Sequence, residues 1–533
     1  MIRAIQIDKS DNVAMVTASV EAGQEIIVTE NGQIVKSIEP IDAGHKVALV
    51  RLESDETVVK YGIPIGRMKS PIDAGGWISA HNLSDTTEEL CGEYCRQFRD
   101  GERKVKTFPP KDSLHESRMI NAYPRADGSF GIRNYIMVIS TAPACNEAAE
   151  AISDRTGCAW FVCDRTRLIE GQLTDYTRKA MALTGCNPNI YAVLVIVADA
   201  TDSSGKEIFD TIAQSGKPVR CLSIGKTGAQ SVVSDGISII EDFQKEAAKL
   251  QRSPVSMEGF GLSVHCSGSD WATAINGNSS LGAASDLVVK NGGRVFMTEW
   301  MEWSGSQHLM AEKCATYELG LELLDNVEAV RATVLRETGR PVEYMNPAPG
   351  NILAGLTTLV EKSTGTIRKI GSTQIQGILE YGEKPTGAGV WLPKHDSVWP
   401  PTTAIYGAMS GAHMNVLVSG LGDLYFELPH MLCIRATGNP STYQKEELKL
   451  DFNAGIAFEG KSIAEVGEIL FEYLLRIAEG EEDPKSEHDK IRAFNMYYYT
   501  ENEFGEGIDR SRILPVLVRK YHERCKQYTD NVK

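Results

Sequence analysis

The chain has 533 residues, 42% of them hydrophobic and 24% charged, with a formal net charge of −16. That length exceeds one hydrophobic core and predicts about three domains. The acidic balance argues against nucleic-acid or anionic-membrane partners, though a local basic pocket for a small anion remains compatible with it.

The opening segment has no apolar signal core. The longest apolar stretches, such as "YAVLVIVADA" at 191–200, fall short of the ~20 residues of a membrane span. A cytoplasmic protein without membrane partners is expected. The 11 cysteines are scattered, which suits reduced thiols better than a disulfide framework. "CGEYC" at 91–95 lacks zinc-knuckle spacing and reads as one helix face.

Residues 1–85 carry short runs rich in β-branched residues, such as "NVAMVTASV", "QEIIV" and "KVALVRL", separated by turn signals. They predict a small β-rich domain. Residues 86–117 are highly charged and reach a Pro-Pro, which predicts an exposed linker with a short helix. From 118 to 252 apolar runs alternate with helical patterns, the signature of βαβ units on a parallel sheet. Residues 253–533 form a second α/β region. Its tail from about 460, including "ILPVLVRKYHERCKQY", has apolar residues at helical spacing. The fold class is therefore multidomain α/β, a β-rich domain followed by two α/β domains with largely parallel sheets.

Several stretches could carry chemistry. "YPRADGSFGIRN" sets Arg125 and Arg133 around a turn before an apolar strand that leads to Cys145; the arginines suit a carboxylate. "VHCSGSD" places His265, Cys266, Ser269 and Asp270 after an apolar strand, where open α/β sheets bind ligands. These side chains can bind metals or move protons, while Asp270 is equally suited to cap the next helix. In "TEWMEW", Glu299 and Glu302 can divide acid and base roles or hold a hard cation. "NPAPGN", with Asn346 and Asn351, opens a helix whose free amides suit an anion, and Lys362 follows. His45 and His81 stand at strand ends of the first domain as candidate base, acid or ligand. Walker, dinucleotide and serine-elbow motifs are absent.

Together, "DNVAMVTASVEAG", "IDAGHKVALVRL", "YPRADGSFGIRNYIMVISTAPAC", "VHCSGSDWATAINGNSSLGAASDLVVKNGG", "NPAPGN" and "LDFNAG" resemble the altronate/galactarate dehydratase family over nearly the whole chain. The first of these looks like its N-terminal SAF module. The resemblance implies a hydro-lyase that converts a hydroxy-carboxylate to a 2-keto-3-deoxy acid, in a homo-oligomer. It implies α-proton abstraction assisted by a divalent metal, iron(II) in the family. It points to His45, His81, His265, Cys266 and Asp270 for catalysis. Arg125, Arg133, Asn346, Asn351 and Lys362 would bind the substrate, and Glu299, Glu302 and His81 the metal. Trp77, Ser79 and Ala200 stand where the family usually has histidines or a cysteine, Glu427 where Gly-Cys or Gly-Ser is common, and Gln307 where a glutamate is usual. Lost thiolates disfavour an iron–sulfur cluster and favour magnesium or manganese. Two alternatives stand beside dehydration: a related sulfo-lyase that expels sulfite from a sulfolactate-like acid, and a non-catalytic acid-binding paralogue.

Overall fold

The computed structural model describes residues 1–106, 118–163, 168–169, 172–173, 175–199, 201–341, 346–394, 400–422, 428–489 and 491–494. The N-terminal region is β-rich, as its alternating runs predict. A six-stranded sheet takes the order Ile34–Lys36, Glu25–Val28, Ile2–Ile5, Val13–Val16, Lys46–Ala48, Trp77–Ile78. Its pairs are antiparallel except Ile2–Ile5 with Glu25–Val28. Thr57–Lys60, Ile63–Met68 and Leu83–Ser84 make a second, three-stranded sheet.

The expected exposed linker is corrected in its first half. Thr87–Arg99 is a helix whose Cys91, Cys95 and Phe98 are buried in the core of the C-terminal region. The apolar residues recur every three or four positions, so the helix has a face to bury despite its charge. Cys91 and Cys95 share that face with sulfurs 3.9 Å apart. Residues 107–117 and the expected helix at 513–528 lie outside the described residues.

Two parallel sheets follow. The first has the order Val219–Ser223, Ile190–Val197, Tyr135–Ser140, Ala159–Phe161, Ala493–Phe494, so the tail supplies an edge strand. The second has seven parallel strands: Ile375–Leu379, Gly389–Pro393, Arg294–Phe296, Gly261–Ser267, Met414–Ser419, Leu432–Thr437 and Phe452–Asn453. Gly261–Ser267 is central and buried along almost its whole length, its polar Ser263 and His265 included. Helix Asn278–Lys290 packs against helix Ile463–Glu479. The latter opens with a reciprocal Ser462–Glu465 capping box and stops at Gly480 in the left-handed conformation. Among the described residues no helix is long and apolar enough to cross a membrane.

The N-terminal region docks on the C-terminal one through a close backbone approach. A Cβ on Gly44 would lie 1.9 Å from the Trp271 ring, and one on Gly355 would lie 2.2 Å from the Gly44 carbonyl. Both glycines also have positive φ, so no other residue fits either position without strain.

Candidate active site

Neighbouring parallel strands bring their carboxyl ends to one edge, and that edge builds the site. Gly261–Ser267 ends with His265 and Cys266, and Arg294–Phe296 leads to Glu299 and Glu302. A third segment, the 3-10 turn Ile367–Ile370, inserts Lys369 between them. Its ammonium donates to Glu299 Oε2 at 3.0 Å, Glu302 Oε2 at 3.2 Å and Cys266 Sγ at 3.3 Å. The Cys266 thiol donates to Glu302 Oε2 at 2.9 Å, and the Cys266 amide to Glu299 Oε2 at 3.2 Å. His265 Nε2 pairs with Ser263 Oγ at 2.8 Å, and its Nδ1 lies 3.5 Å from Glu299 Oε2.

Charge arithmetic separates the two glutamates. Burial alone would raise Glu299, but Lys369 and His265 override it and hold the carboxyl at about 2. Burial also depresses Lys369, yet Cys266, Glu299 and Glu302 together drive it above the ordinary lysine value. Lys369 and Glu299 thus form a neutral buried ion pair. Glu302 is left as a second carboxyl without its own counter-charge. Burial, then repulsion from Glu299, raises its pKa. Burial pushes the Cys266 thiol up to about 12, aided by Glu302, so it stays protonated and acts as a donor. His265 is kept neutral by burial. Of this group Glu302 reaches solvent, with 16% of its side chain exposed against 2% for Glu299 and none for Lys369. Carboxylates with such divergent environments mark acid–base sites.

Lys362 lies on the helix Leu359–Thr366, seven positions before Lys369. It is half-buried and donates to Asn346 Oδ1 at 2.6 Å and Asn351 Oδ1 at 3.1 Å, with no carboxylate partner among the described residues. Its charge acts on Glu302 through space. Asn351 in turn donates to Ser269 O at 2.8 Å. The amides expected to meet substrate thus hold the lysine. A neutral cradle leaves its ammonium available to a substrate carboxylate.

Other expected roles are corrected. Asp270 Oδ1 accepts from the Thr273 amide and hydroxyl, each at 2.7 Å, and its Oδ2 accepts from Asn439 at 2.6 Å; it is a buried cap tying two loops together. His45 accepts from Trp77 Nε1 at Nδ1, 3.1 Å, and donates from Nε2 to Leu353 O at 3.0 Å. Both ring nitrogens are engaged, so His45 positions the segment carrying Asn351 rather than moving protons. His81 leans on Trp77, ring centroids 4.8 Å apart and tilted by 50°, at the exposed edge of the N-terminal region and does not join Glu299 and Glu302. Arg125 donates to the carbonyls of Pro188 and Arg133, each at 2.8 Å. Arg133 donates to Ile132 O, Ile477 O and Asp483. Arg125 therefore braces its own turn and Arg133 ties the middle region to the C-terminal one, instead of facing the Glu302 site. Cys145 is buried in the turn Pro143–Cys145, away from this cluster.

The metal set expected from Glu299, Glu302 and His81 is not assembled. Lys369 fills the space between the two carboxylates, where its fixed positive charge opposes a cation. Among the described residues no group of three or more His, Cys, Asp or Glu side chains is arranged to hold a metal ion. The donor set at this edge fits an internal ammonium, not a divalent metal.

Residues 2–86 match the altronate/galactarate dehydratase SAF domain. Residues 122–248 match the second domain of D-galactarate dehydratase/altronate hydrolase, and 257–501 the C-terminal D-galactarate/altronate dehydratase domain. The chain is 28% identical to altronate dehydratase of Escherichia coli (strain K12), over 91% of this chain and 97% of that one. It is 30% identical to the (2R)-sulfolactate sulfo-lyase subunit beta of Chromohalobacter salexigens, over 68% of this chain and 94% of the relative. The subunit alpha of that organism is 37% identical over 14% of this chain and 86% of its own length. The chain belongs to the altronate/galactarate dehydratase family and is a carbon–oxygen lyase.

Proposed function

We propose that the chain dehydrates a sugar acid to a 2-keto-3-deoxy acid, with Glu302 moving the proton and Lys362 holding the carboxylate. The observation that carries this reading is the unbalanced, solvent-reaching carboxyl of Glu302 beside the neutral Lys369–Glu299 pair. Ionised Glu302 takes the proton alpha to the substrate carboxylate. The C–H electron pair becomes the C2–C3 double bond, and the C3–O bond breaks. The departing hydroxide takes the proton back from Glu302 and leaves as water; the enol then becomes the 2-keto acid. Lys369 stays charged and lowers the cost of an anion at this edge, and Cys266 orients the Glu302 carboxyl by donating to it.

The test is a panel of aldonates and aldarates, altronate and galactarate among them, with 2-keto acid as the readout. Formation of that product supports the reading, and its absence across the panel contradicts it. The 30% and 37% identities to sulfo-lyase subunits favour one second reading. There the same α-proton abstraction is followed by cleavage of a C–S bond, with sulfite leaving. Sulfite release from 3-sulfolactate without 2-keto-3-deoxy acid from the sugar acids selects it. Binding of these acids without turnover of any selects the acid-binding paralogue.

A further inference from the structure

The strand Arg294–Phe296 has chemistry at both ends. Glu299 lies beyond its carboxyl end, at the site described above, and Arg294 is its first residue. Five residues at ~3.3 Å each span at most about 16 Å, and the two lie at opposite ends of the strand. At the Arg294 edge is a cavity of about 280 Å³. The turn Asp127–Ser129 lines it from the middle region; Arg294, Lys384 and Ser410 line it from the C-terminal region.

Among the described residues, Arg294 and Lys384 make no ion pair. Arg294 is half-buried and lies over Gly259, and its Nε is fully buried without a hydrogen-bond partner. No carboxylate pairs with it among the described residues, and burial is what depresses its pKa. Lys384 is exposed and also has no ion pair among them. Behind the turn, Arg125 donates to backbone carbonyls and keeps its charge uncancelled, whereas burial, then repulsion from Arg125, lowers Lys217 to about 7, so it adds less than a full charge. Two carboxylates face this group. Asp127 is engaged by the amide and hydroxyl of Ser129, and Glu258 lies on the rim. His413, at the floor, accepts from the Gly261 amide and donates to Phe130 O, which keeps it a neutral wall. In a chain of net charge −16 this is a local excess of positive charge. A buried guanidinium nitrogen without an acceptor is costly, and an entering oxyanion would offset that cost.

We propose that this cavity is a second anion site, taking a small oxyanion, carboxylate or phosphate, against Arg294 and Lys384. It is separate from the Glu302 site and does not depend on the reaction proposed there. The "RADGSFG" turn, which by sequence looked like the edge of an anion grip, lines this cavity.

The test is calorimetric titration of the full chain with inorganic phosphate and, separately, with succinate. At least one should bind saturably, with one site per chain surviving Lys362→Met, which removes the cation of the other site. A response to phosphate alone assigns a phosphate ligand, and to succinate alone a carboxylate. Arg294→Met, which keeps a stem over Gly259, should weaken binding about tenfold or more through loss of a charge-assisted contact. Lys384→Ala should weaken it too and, being at an exposed position, serves if Arg294→Met fails to fold. Absence of binding by both anions overturns the proposal. So does binding that survives both Arg294→Met and Lys384→Ala unchanged, or that vanishes in Lys362→Met.

Discussion

Glu302 and Lys369 have opposite duties within hydrogen-bond distance of each other. Lys369 must stay charged, because it is the counter-ion of a fully buried Glu299. Lys369→Met leaves that carboxylate unpaired and should destabilise the fold by about 3–5 kcal/mol in denaturant titrations. Glu302 must titrate. Its pKa lies above the ordinary glutamate value of 4.5, so kcat/KM should rise with pH through an apparent pKa above that value as the base ionises. A profile flat from pH 4 to 8 would remove Glu302 from the proton transfer. Lys362→Met should lower kcat/KM by about 10- to 100-fold, the worth of one charge-assisted contact. Cys266, Glu299 and Glu302 were legible in the sequence because Cys266 lies at the end of a strand and the two glutamates follow one. Lys369 was not, since it comes from a turn 103 residues after Cys266. No local pattern singles it out, because it lies on a 3-10 turn beyond the end of the helix that carries Lys362.

At the scale of elements, the docking of the N-terminal region supports the lysine pair. Helix Leu359–Thr366 carries Lys362 outward and Glu361 inward. Glu361 is fully buried, bonded to Lys46 at 3.0 Å and Lys60 at 2.6 Å, and also accepts from the Thr357 amide and hydroxyl. Burial would raise its pKa, but the two ammonium groups hold it far below the ordinary value. Its contribution to stability is therefore complete above an ordinary glutamate pKa and is lost as pH falls towards the folded value. Glu361→Gln should destabilise the protein at pH 7 by about 3–5 kcal/mol and flatten its acid limb, read by thermal melts across pH. An unchanged acid limb would mean that the triad does not govern acid unfolding. The strands of this region follow from β-branched runs. The burial of Lys46 and Lys60 does not, because Glu361 is 315 and 301 residues away. The charged stretch after residue 86 looked like a linker for the same reason: what buries its helix is a core built from distant segments.

For the whole molecule, one seven-stranded parallel sheet organises the chemistry. Its carboxyl edge holds the Glu302 carboxyl beside an ion pair, and its amino edge the Arg294 guanidinium, without an ion pair among the described residues. The order of strands and helices was largely legible from periodicity. Which edge each charged residue would face was not, since Arg125 is spent on carbonyls and Arg133 on the distant Ile477 carbonyl and Asp483. The measurement that tests the central claim most directly compares wild type and Glu302→Gln under identical conditions. It uses the acid of the panel that wild type converts fastest and follows 2-keto acid formation, with a thermal melt of each protein. The account predicts an unchanged fold and a fall in kcat of about 10²- to 10⁴-fold, the range for a lost general acid–base. A Glu302→Gln protein that turns over within about twofold of wild type would contradict it.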